Sequence, residues 1–318
     1  MKLVMLDTAT LGEDIDLSPL LSAPNITLAV EYKNTAPELV GERIADADII
    51  MLNKIKITES ELCAAKALKL ICITATGYDN IDTEACARHG VALCNVPAYS
   101  TDSVAQITAA MALTLVCRLG EYREFVHSGA YSASGVANSL TPVYHELSSM
   151  TWGIVGGGGI GSRVARIAEA LGARVLMCRR KPDTRYEQVD IDTLCERSDI
   201  ISLHVPLSDE TRGMIDRERI GKMKDGAILI NVSRGAVTDE SALADAIKSG
   251  KLGGLGVDVY SREPFTGDHP FCDLLDNPRV CLTPHMAWGA AEARARCISV
   301  IASNIRAYLD HESQNRIV

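Results

Sequence analysis

Residues 151–161 read TWGIVGGGGIG, and this stretch decides the fold of the chain. An apolar run ends in glycines spaced G-x-G-x-x-G at Gly156, Gly158 and Gly161, and a helical pattern follows. A strand, a glycine turn and a helix in that order are typical of a dinucleotide-binding βαβ unit. Gly156 allows the tight turn, Gly158 lets the backbone approach a pyrophosphate, and Gly161 lets the helix pack on the strand. The free N–H groups at the helix N-terminus would bind the phosphates.

Composition limits the class of protein. The chain has 318 residues, of which 47% are apolar, so it is long enough for two domains with their own cores. Its net charge of −9 argues against nucleic acid or an anionic membrane as a partner. The ten cysteines are scattered and no pair has C-x-x-C spacing, which predicts no metal site and a reducing compartment. With no apolar run of membrane-spanning length, we expect a cytoplasmic protein.

The hydrophobic pattern predicts two α/β blocks. Short apolar runs predict strands at residues 2–6, 26–32, 48–52, 70–74 and 91–95, alternating with helices at 36–45, 58–65 and 83–88. A second set predicts six strands at 152–155, 174–178, 200–203, 227–232, 252–257 and 280–282. One long helix is expected at 102–127, a loop-rich stretch at 129–149 and a last helix at 290–309. This alternation indicates parallel sheets with helices on both faces.

The end of the strand at residues 174–178 carries information about the cofactor. An NAD site usually has Asp or Glu there, bound to a ribose hydroxyl. This chain has Arg179, and Arg180 follows. A guanidinium can bind a 2′-phosphate through two parallel hydrogen bonds. The sequence therefore favours NADP(H), with NAD(H) possible, although a solvated basic turn is the alternative interpretation.

Three polar residues follow successive strands of the second block: Arg234, Glu263 and His285. Ligands of open α/β sheets bind outside the carboxyl ends of the strands. An arginine can bind an oxoacid, a histidine can move a proton, and a glutamate can orient the imidazole and stabilise its charged form. Each residue alone could be structural, but the three together predict a hydride-transfer site.

The chain resembles the D-isomer-specific 2-hydroxyacid dehydrogenases over nearly its whole length. The motifs that carry the resemblance are ATGYDNID at 75–82, NVPAYST at 95–101, the glycine turn, LHVPL at 203–207, INVSRG at 230–235, VDV at 257–259 with Glu263-Pro264, and TPH at 283–285. The resemblance implies a flavodoxin-like substrate domain at residues 1–99 and 287–318 and a Rossmann-type, doubly wound NAD(P)-binding domain at 100–286. It also implies a substrate cleft between the domains and a homodimer.

The resemblance also implies roles for single residues. Arg234, Glu263 and His285 are similar to the family's catalytic residues. Asp258 is similar to the residue that meets the nicotinamide amide, and His204, Val205 and Pro206 are similar to the wall beside the adenosine. The other positions expected to contact the cofactor are Val104, Gly159, Ile160, Thr211, Val232 and Ser233. The positions expected to bind substrate are Asn53, Lys54, Thr76, Gly77 and Trp288, together with Arg234 and His285.

Within the family, YSTDSVAQ at 99–106 and HMAW at 285–288 look most like glycerate dehydrogenases, also called hydroxypyruvate reductases. We therefore expect reduction of hydroxypyruvate or glyoxylate to a D-2-hydroxyacid. Two alternatives stay open: a reductase of a bulkier 2-oxoacid, and a nucleotide-sensing protein that resembles a corepressor, because a fold alone does not fix function.

Overall fold

The order of the first five strands defines the first sheet. A computed structural model of the protein describes residues 1–23, 25–181 and 184–318. The strands are β1 (Lys2–Met5), β2 (Leu28–Glu31), β3 (Ile49–Leu52), β4 (Leu70–Ile73) and β5 (Ala92–Cys94). They pair in parallel in the order β2-β1-β3-β4-β5. This is the strand order of flavodoxin-like sheets, as the sequence resemblance implies.

The second sheet contains the glycine turn. Its strands are β6 (Thr151–Val155), β7 (Arg174–Cys178), β8 (Glu187–Gln188), β9 (Ile200–Leu203), β10 (Ala227–Asn231), β11 (Leu252–Val257) and β12 (Val280–Leu282). The order is β12-β11-β10-β9-β6-β7-β8, and the pairs are parallel. This is the Rossmann strand order. The side on which successive strands are added to the sheet changes between β6 and β9, and ligands bind at this point in such sheets.

Helices connect the strands of both sheets. They are α1 (Ser18–Leu21), α2 (Val40–Ile44), α3 (Glu59–Ala64), α4 (Thr83–His89), α5 (Thr101–Val116), α6 (Leu119–His127), α7 (Ala130–Ser134), α8 (Gly159–Ala170), α9 (Ile191–Arg197), α10 (Arg217–Lys222), α11 (Glu240–Ser249) and α12 (Ala291–Leu309).

The chain divides into two compact units. Unit 1 comprises Met1–Ser100 and Gly289–Val318, and unit 2 comprises Thr101–Trp288.

Side chains cap several of these helices. Asp82, Asp190, Asp216 and Asp239 each accept a hydrogen bond from the backbone N–H three residues on, at the start of α4, α9, α10 and α11. Such a cap satisfies an N–H that has no partner within the helix. Gly90 and Gly250 end α4 and α11 with φ of 67° and 80°, in the left-handed region that favours glycine.

The end of the chain belongs to unit 1. Helix α12 packs against α1 and β4. Asn304 Nδ2 donates to the carbonyl of Asn95 at 2.9 Å, and Ile317 N donates to the carbonyl of Leu93 at 2.8 Å. The last residues of the chain therefore extend the hydrogen bonding of β5.

The structure corrects the sequence prediction in three places. The helix expected at 102–127 is two helices, α5 and α6, because Arg118 adopts φ of 56° between them. The second sheet has a further edge strand, β8, which is only two residues long. Ser100 lies in unit 1, and Ala287 and Trp288 lie in unit 2, where the backbone of Ala287 bonds to Ser103 and Asp258.

Among the described residues, no single helix is long and apolar enough to cross a bilayer. The pair α5 and α6 meets that test only when the two are joined across a 61° bend.

Candidate active site

The glycine turn after β6 has the close packing that its spacing predicts. Gly156 has φ of 99°, so it needs the conformational freedom of glycine. A Cβ on Gly161 would lie 1.8 Å from the carbonyl oxygen of Gly156, which means that only glycine lets α8 start here. A Cβ on Gly158 would meet nothing within 4 Å, so this part of the turn faces open space. The turn therefore forms a backbone cradle at the N-terminus of α8, where Gly159 and Ile160 are the first residues.

Arg179 lies against this cradle. A Cβ on Gly157 would lie 2.6 Å from Arg179 Cδ and 2.9 Å from Arg179 Cζ, so the guanidinium covers the Gly157 side of the turn. The side chain of Arg180 is 87% exposed, and its Nη1 is 3.9 Å from a carboxylate oxygen of Glu210. Of the two arginines singled out by sequence, Arg179 is the one packed on the turn.

His204 lies beside the same turn, after β9. A Cβ on Gly156 would lie 2.5 Å from the carbonyl oxygen of His204 and 3.0 Å from Val205 Cγ1. Trp152 Nε1 donates to Ser202 Oγ at 3.0 Å, and His204 Nε2 is 3.0 Å from that same hydroxyl. Because an indole N–H only donates, the Ser202 hydroxyl accepts from Trp152 while it also contacts the His204 ring.

The Nδ1 atom of His204 is buried and has no hydrogen-bond partner within the described residues. Buried polar atoms are usually satisfied, so a bound molecule is the expected partner. Burial lowers the pKa of His204 to about 3, which keeps the ring neutral. Together with the open face at Gly158, this unpartnered ring nitrogen means that the residues present fit a dinucleotide.

The remaining cofactor positions are mostly buried. Thr211 Oγ1 donates to the carbonyl of Pro206 at 2.6 Å, which holds the loop after β9. Val232 and Ser233 follow β10 and are 9% and 8% exposed, and Ser233 bonds to the Asn231 side chain. Val104 is 5% exposed on α5, within the apolar core of unit 2. Their contacts with a cofactor stay predictions.

Glu263 and His285 form a pair in unit 2. The Nδ1 atom of His285 is 2.6 Å from Glu263 Oε2, and the two side chains are 23% and 27% exposed. The other carboxylate oxygen, Oε1, accepts from the backbone N–H of Tyr260 at 3.0 Å. The carboxylate is therefore fixed on one side by the backbone and holds the imidazole on the other, which is the arrangement that general acid–base catalysis by histidine requires.

Arg234 follows β10 at the same edge of the sheet. Its Nη1 donates to the carbonyl of Ser233 at 2.8 Å, and its own carbonyl accepts from Asn231 Nδ2 at 2.9 Å. The first bond holds the guanidinium next to the Ser233 carbonyl, and the second fixes the peptide that follows Arg234. The guanidinium is a planar cation suited to bind a carboxylate.

Asp258 supports the histidine segment. It is 1% exposed, and its carboxylate accepts from Thr283 Oγ1 at 2.6 Å and from the N–H groups of Met286 and Ala287, each at 2.9 Å. Burial raises the pKa of this carboxyl above its ordinary value, while these hydrogen bonds oppose the rise. The sequence resemblance implies that Asp258 meets the nicotinamide amide. This supporting role could not be predicted from sequence, because it depends on backbone N–H groups of Met286 and Ala287.

Trp288 also bonds to the histidine segment. Its Nε1 donates to the carbonyl of His285 at 2.9 Å, and its ring packs against the apolar core of unit 2. A tryptophan at this position therefore fixes the backbone of His285. The expected contact with substrate stays a prediction.

The substrate positions of unit 1 lie in two turns. Asp7 accepts from the N–H of Asn53 at 2.9 Å and from that of Lys54 at 2.7 Å, which fixes the turn after β3. Asn53 is 7% exposed and donates from Nδ2 to Thr10 Oγ1, so its side chain is part of the interior. Thr76 is exposed, and its hydroxyl donates to the carbonyl of Val96 at 2.8 Å in the turn that continues to Gly77.

A dinucleotide cradle and a carboxylate-supported histidine on one doubly wound sheet place this chain among the nicotinamide-dependent oxidoreductases. Residues 109–287 match the NAD binding domain of D-isomer specific 2-hydroxyacid dehydrogenases. The chain belongs to this family.

Individual relatives agree with that family. Hydroxypyruvate reductase of Blautia hydrogenotrophica is 34% identical over 97% of this chain and 97% of its own length. Glycerate dehydrogenase of Methylorubrum extorquens is 35% identical over 90% of each chain. The crystal structure of D-lactate dehydrogenase from Aquifex aeolicus, complexed with NAD and lactic acid, superposes with a TM-score of 0.85 at 31% identity, over 98% of this chain and 96% of that chain. The protein is an oxidoreductase acting on 2-hydroxyacids, as the sequence predicted.

Proposed function

We propose that this 2-hydroxyacid dehydrogenase reduces a small 2-oxoacid, either hydroxypyruvate to D-glycerate or glyoxylate to glycolate, with NADPH preferred to NADH. The observation that carries the proposal is the Glu263–His285 pair, with 2.6 Å between Oε2 and Nδ1. The names of the two curated relatives support a three-carbon substrate, because hydroxypyruvate reductase and glycerate dehydrogenase describe the two directions of one reaction.

His285 is the proton donor in this proposal. Because Nδ1 is held by Glu263, Nε2 is the atom that transfers a proton to the keto oxygen of the substrate. The carboxylate of Glu263 fixes the orientation of the imidazole through this contact. Glu263 cannot turn away easily, since Oε1 is bonded to the N–H of Tyr260.

Arg234 is the substrate-binding cation. Its guanidinium would pair with the substrate carboxylate and stabilise the charge that develops on the keto oxygen. Reduced nicotinamide, when bound, supplies the hydride. The glycine turn and the N-terminus of α8 would hold its pyrophosphate, and His204 Nδ1 would find its partner there.

The preference for NADPH is supported by the place of Arg179. The strand end of β7 holds this arginine where NAD-dependent Rossmann folds usually hold an acid, and its side chain covers Gly157 of the turn. A guanidinium there would attract a 2′-phosphate and would offer a ribose hydroxyl no acceptor.

The test is the initial rate of cofactor oxidation with hydroxypyruvate and with glyoxylate, each with NADPH and NADH. We expect turnover with both oxoacids and a higher kcat/KM with NADPH. The His285→Ala variant should lose about 100-fold or more in kcat while it still binds NADPH. Turnover of this variant at the wild-type rate would contradict the role of His285, and turnover of neither oxoacid by the wild type would contradict the proposed substrate.

Cofactor preference is tested by Arg179→Asp. This change should lower kcat/KM for NADPH relative to that for NADH, because a carboxylate repels the 2′-phosphate of NADPH and accepts from the ribose hydroxyl of NADH. Arg306→Asp makes the same change in charge on the exposed side of α12, in unit 1, and should leave the ratio unchanged. An unchanged ratio in Arg179→Asp would mean that the phosphate is bound elsewhere or that the enzyme does not select for it.

A further inference from the structure

Glu240, the first residue of α11, is a nearly buried acid next to the turn that carries Glu263. Its side chain is 9% exposed. Oε1 accepts from the N–H of Ser261 at 2.8 Å, and Oε2 accepts from Ser261 Oγ. The same Oε2 lies 3.1 Å from His269 Nε2. A carboxylate inside the protein with three donors around it is fixed in place.

His269 supports Glu240 from the other side. Its Nδ1 accepts from the N–H of Phe271 at 3.2 Å, so the hydrogen of the ring is on Nε2 and points at Glu240. The ring is packed among Tyr260, Phe265 and Phe271, with ring centroids 5.8, 4.9 and 5.0 Å away, and the side chain is 7% exposed. These hydrogen bonds and the burial of the side chain hold Glu240 in this rotamer.

The peptide that Glu240 holds adjoins the peptide whose N–H orients Glu263. Ser261 follows Tyr260, whose N–H donates to Glu263 Oε1 at 3.0 Å. Gly235 also touches the Tyr260–Ser261 peptide, because a Cβ on Gly235 would lie 2.0 Å from Tyr260 C and 2.1 Å from Ser261 N. Gly235 is the residue after Arg234. The Tyr260–Ser261 peptide therefore contacts both the carboxylate of Glu240 and the segment that carries Arg234.

We infer that Glu240 is a positioning residue of the dehydrogenase site: by holding Ser261 it fixes the Tyr260 N–H that aims the Glu263 carboxylate at His285. This inference rests on the proposed roles of Glu263 and His285. Its effect on turnover would pass through Ser261 and Tyr260, whose N–H groups bond to Glu240 and Glu263.

The test compares Glu240→Ala with Asp239→Ala. Asp239 is the N-cap of the same helix and accepts from Ala242 N at 2.9 Å, so its loss weakens α11 without touching Ser261. We expect Glu240→Ala to lower kcat about tenfold or more, with the KM for NADPH and NADH unchanged, since small displacements of catalytic groups have effects of this size. Asp239→Ala should lower the melting temperature and leave kcat near the wild-type value.

Two readouts separate positioning from general loss of structure: the split between kcat and KM, and rescue by a conservative change. If Glu263 no longer faces His285, the imidazole loses the partner that orients it, so kcat should fall while the KM for NADPH stays unchanged, as in Glu263→Gln. Glu240→Gln keeps the size of the side chain and one acceptor, so it should recover part of kcat. The double variant Glu240→Ala, Glu263→Gln should be no slower than Glu263→Gln alone, because both changes remove the same interaction.

Two outcomes would overturn the inference: equal losses of kcat in Glu240→Ala and Asp239→Ala, or losses that multiply in the double variant. Normal kcat in Glu240→Ala, with large losses in Glu263→Gln and His285→Ala, would overturn it while leaving the proposed function standing. Wild-type turnover in Glu263→Gln and His285→Ala would instead contradict the proposed catalytic roles themselves.

Discussion

His285 has φ of 53°, a backbone region that side chains other than glycine seldom occupy. The neighbouring bonds hold it there: Asp258 binds the N–H groups of Met286 and Ala287, and Trp288 binds the carbonyl of His285 itself. Strained residues persist only where the surroundings fix them, and they concentrate at functional sites. The backbone at this residue is thus consistent with the role proposed for its side chain.

The neutral state of His204 makes unit 2 sensitive to acid. The pKa of His204 is about 3 in the folded protein because the ring is buried, against about 6.5 in an unfolded chain. The unfolded chain therefore binds an extra proton between these values, and stability is lost as pH falls from about 6.5 towards 3. The loss is about 1.4 kcal/mol per pH unit, or about 2 kcal/mol between pH 7 and pH 5.

Urea unfolding at pH 7 and pH 5 measures this loss. Both tryptophans, Trp152 and Trp288, lie in unit 2, so their fluorescence follows the unit that contains His204. His204→Gln should reduce the difference between the two pH values by about 2 kcal/mol, while His127→Gln, on the exposed end of α6, should not. Equal acid sensitivity in the wild type and His204→Gln would show that another group is responsible.

Some single residues could be predicted from sequence and others could not. Arg234, Glu263 and His285 each follow a strand, and the carboxyl ends of parallel strands meet at one edge of a sheet. Residue type and position after a strand were therefore enough to name them as candidate site residues. Glu240 and Gly235 give no such signal, because their contacts with the Tyr260–Ser261 peptide arise only when α11, β10 and β11 are folded together.

At the level of elements, the break between α5 and α6 was the clearest error of prediction. The sequence there has no proline, and its apolar periodicity continues. The break coincides with a tertiary contact: two residues after Arg118, a Cβ on Gly120 would lie 2.3 Å from the carbonyl oxygen of Pro278. Strand β8 was missed because a two-residue edge strand has no periodicity to detect.

The turn from β6 to α8 allows two glycines to be tested against each other. Gly158→Ala should fold normally, since a Cβ there meets nothing within 4 Å, but the methyl group would stand where the pyrophosphate is expected. Gly161→Ala should destabilise unit 2, because its Cβ would lie 1.8 Å from the Gly156 carbonyl oxygen. We expect Gly158→Ala to keep its melting temperature and bind NADPH about tenfold or more weakly, an estimate for one methyl group in a close backbone contact.

For both variants, fluorescence titration measures the affinity for NADPH, and thermal unfolding measures the melting temperature. Normal NADPH affinity in Gly158→Ala would mean that the cofactor does not approach this part of the turn. A melting temperature of Gly161→Ala equal to that of the wild type would mean that α8 can move away from Gly156 at little cost.

At the scale of the whole molecule, we expect a homodimer that uses the segment from 119 to 144 of unit 2. Large apolar side chains are exposed along it: Leu119, Val126, Tyr131, Val136, Leu140, Val143 and Tyr144. An exposed apolar patch of this kind marks an interaction site. A second copy of the chain is the expected partner, which agrees with what the sequence resemblance implies.

Light scattering after size-exclusion chromatography measures the oligomeric state. The wild type should have twice the mass of the chain, and the double change Leu140→Asp and Val143→Asp, at residues 73% and 68% exposed, should give monomers. Leu275→Asp, at another exposed leucine of unit 2 (60%), should stay dimeric. A monomeric wild type would contradict the prediction.

The joining of the chain's two ends in unit 1 has a consequence for biosynthesis. Because Gly289–Val318 completes the unit that Met1–Ser100 begins, a ribosome makes the first part of unit 1 long before its closing helix exists. Unit 2 is continuous in the chain and can fold during translation. At that stage the sheet of β1 to β5 still lacks α12, which packs against β4. Protease treatment of stalled nascent chains should find residues 101–288 resistant before residues 1–100. Residues 1–100 would then leave the ribosome before unit 2 but become native after it, and so depend more on chaperones.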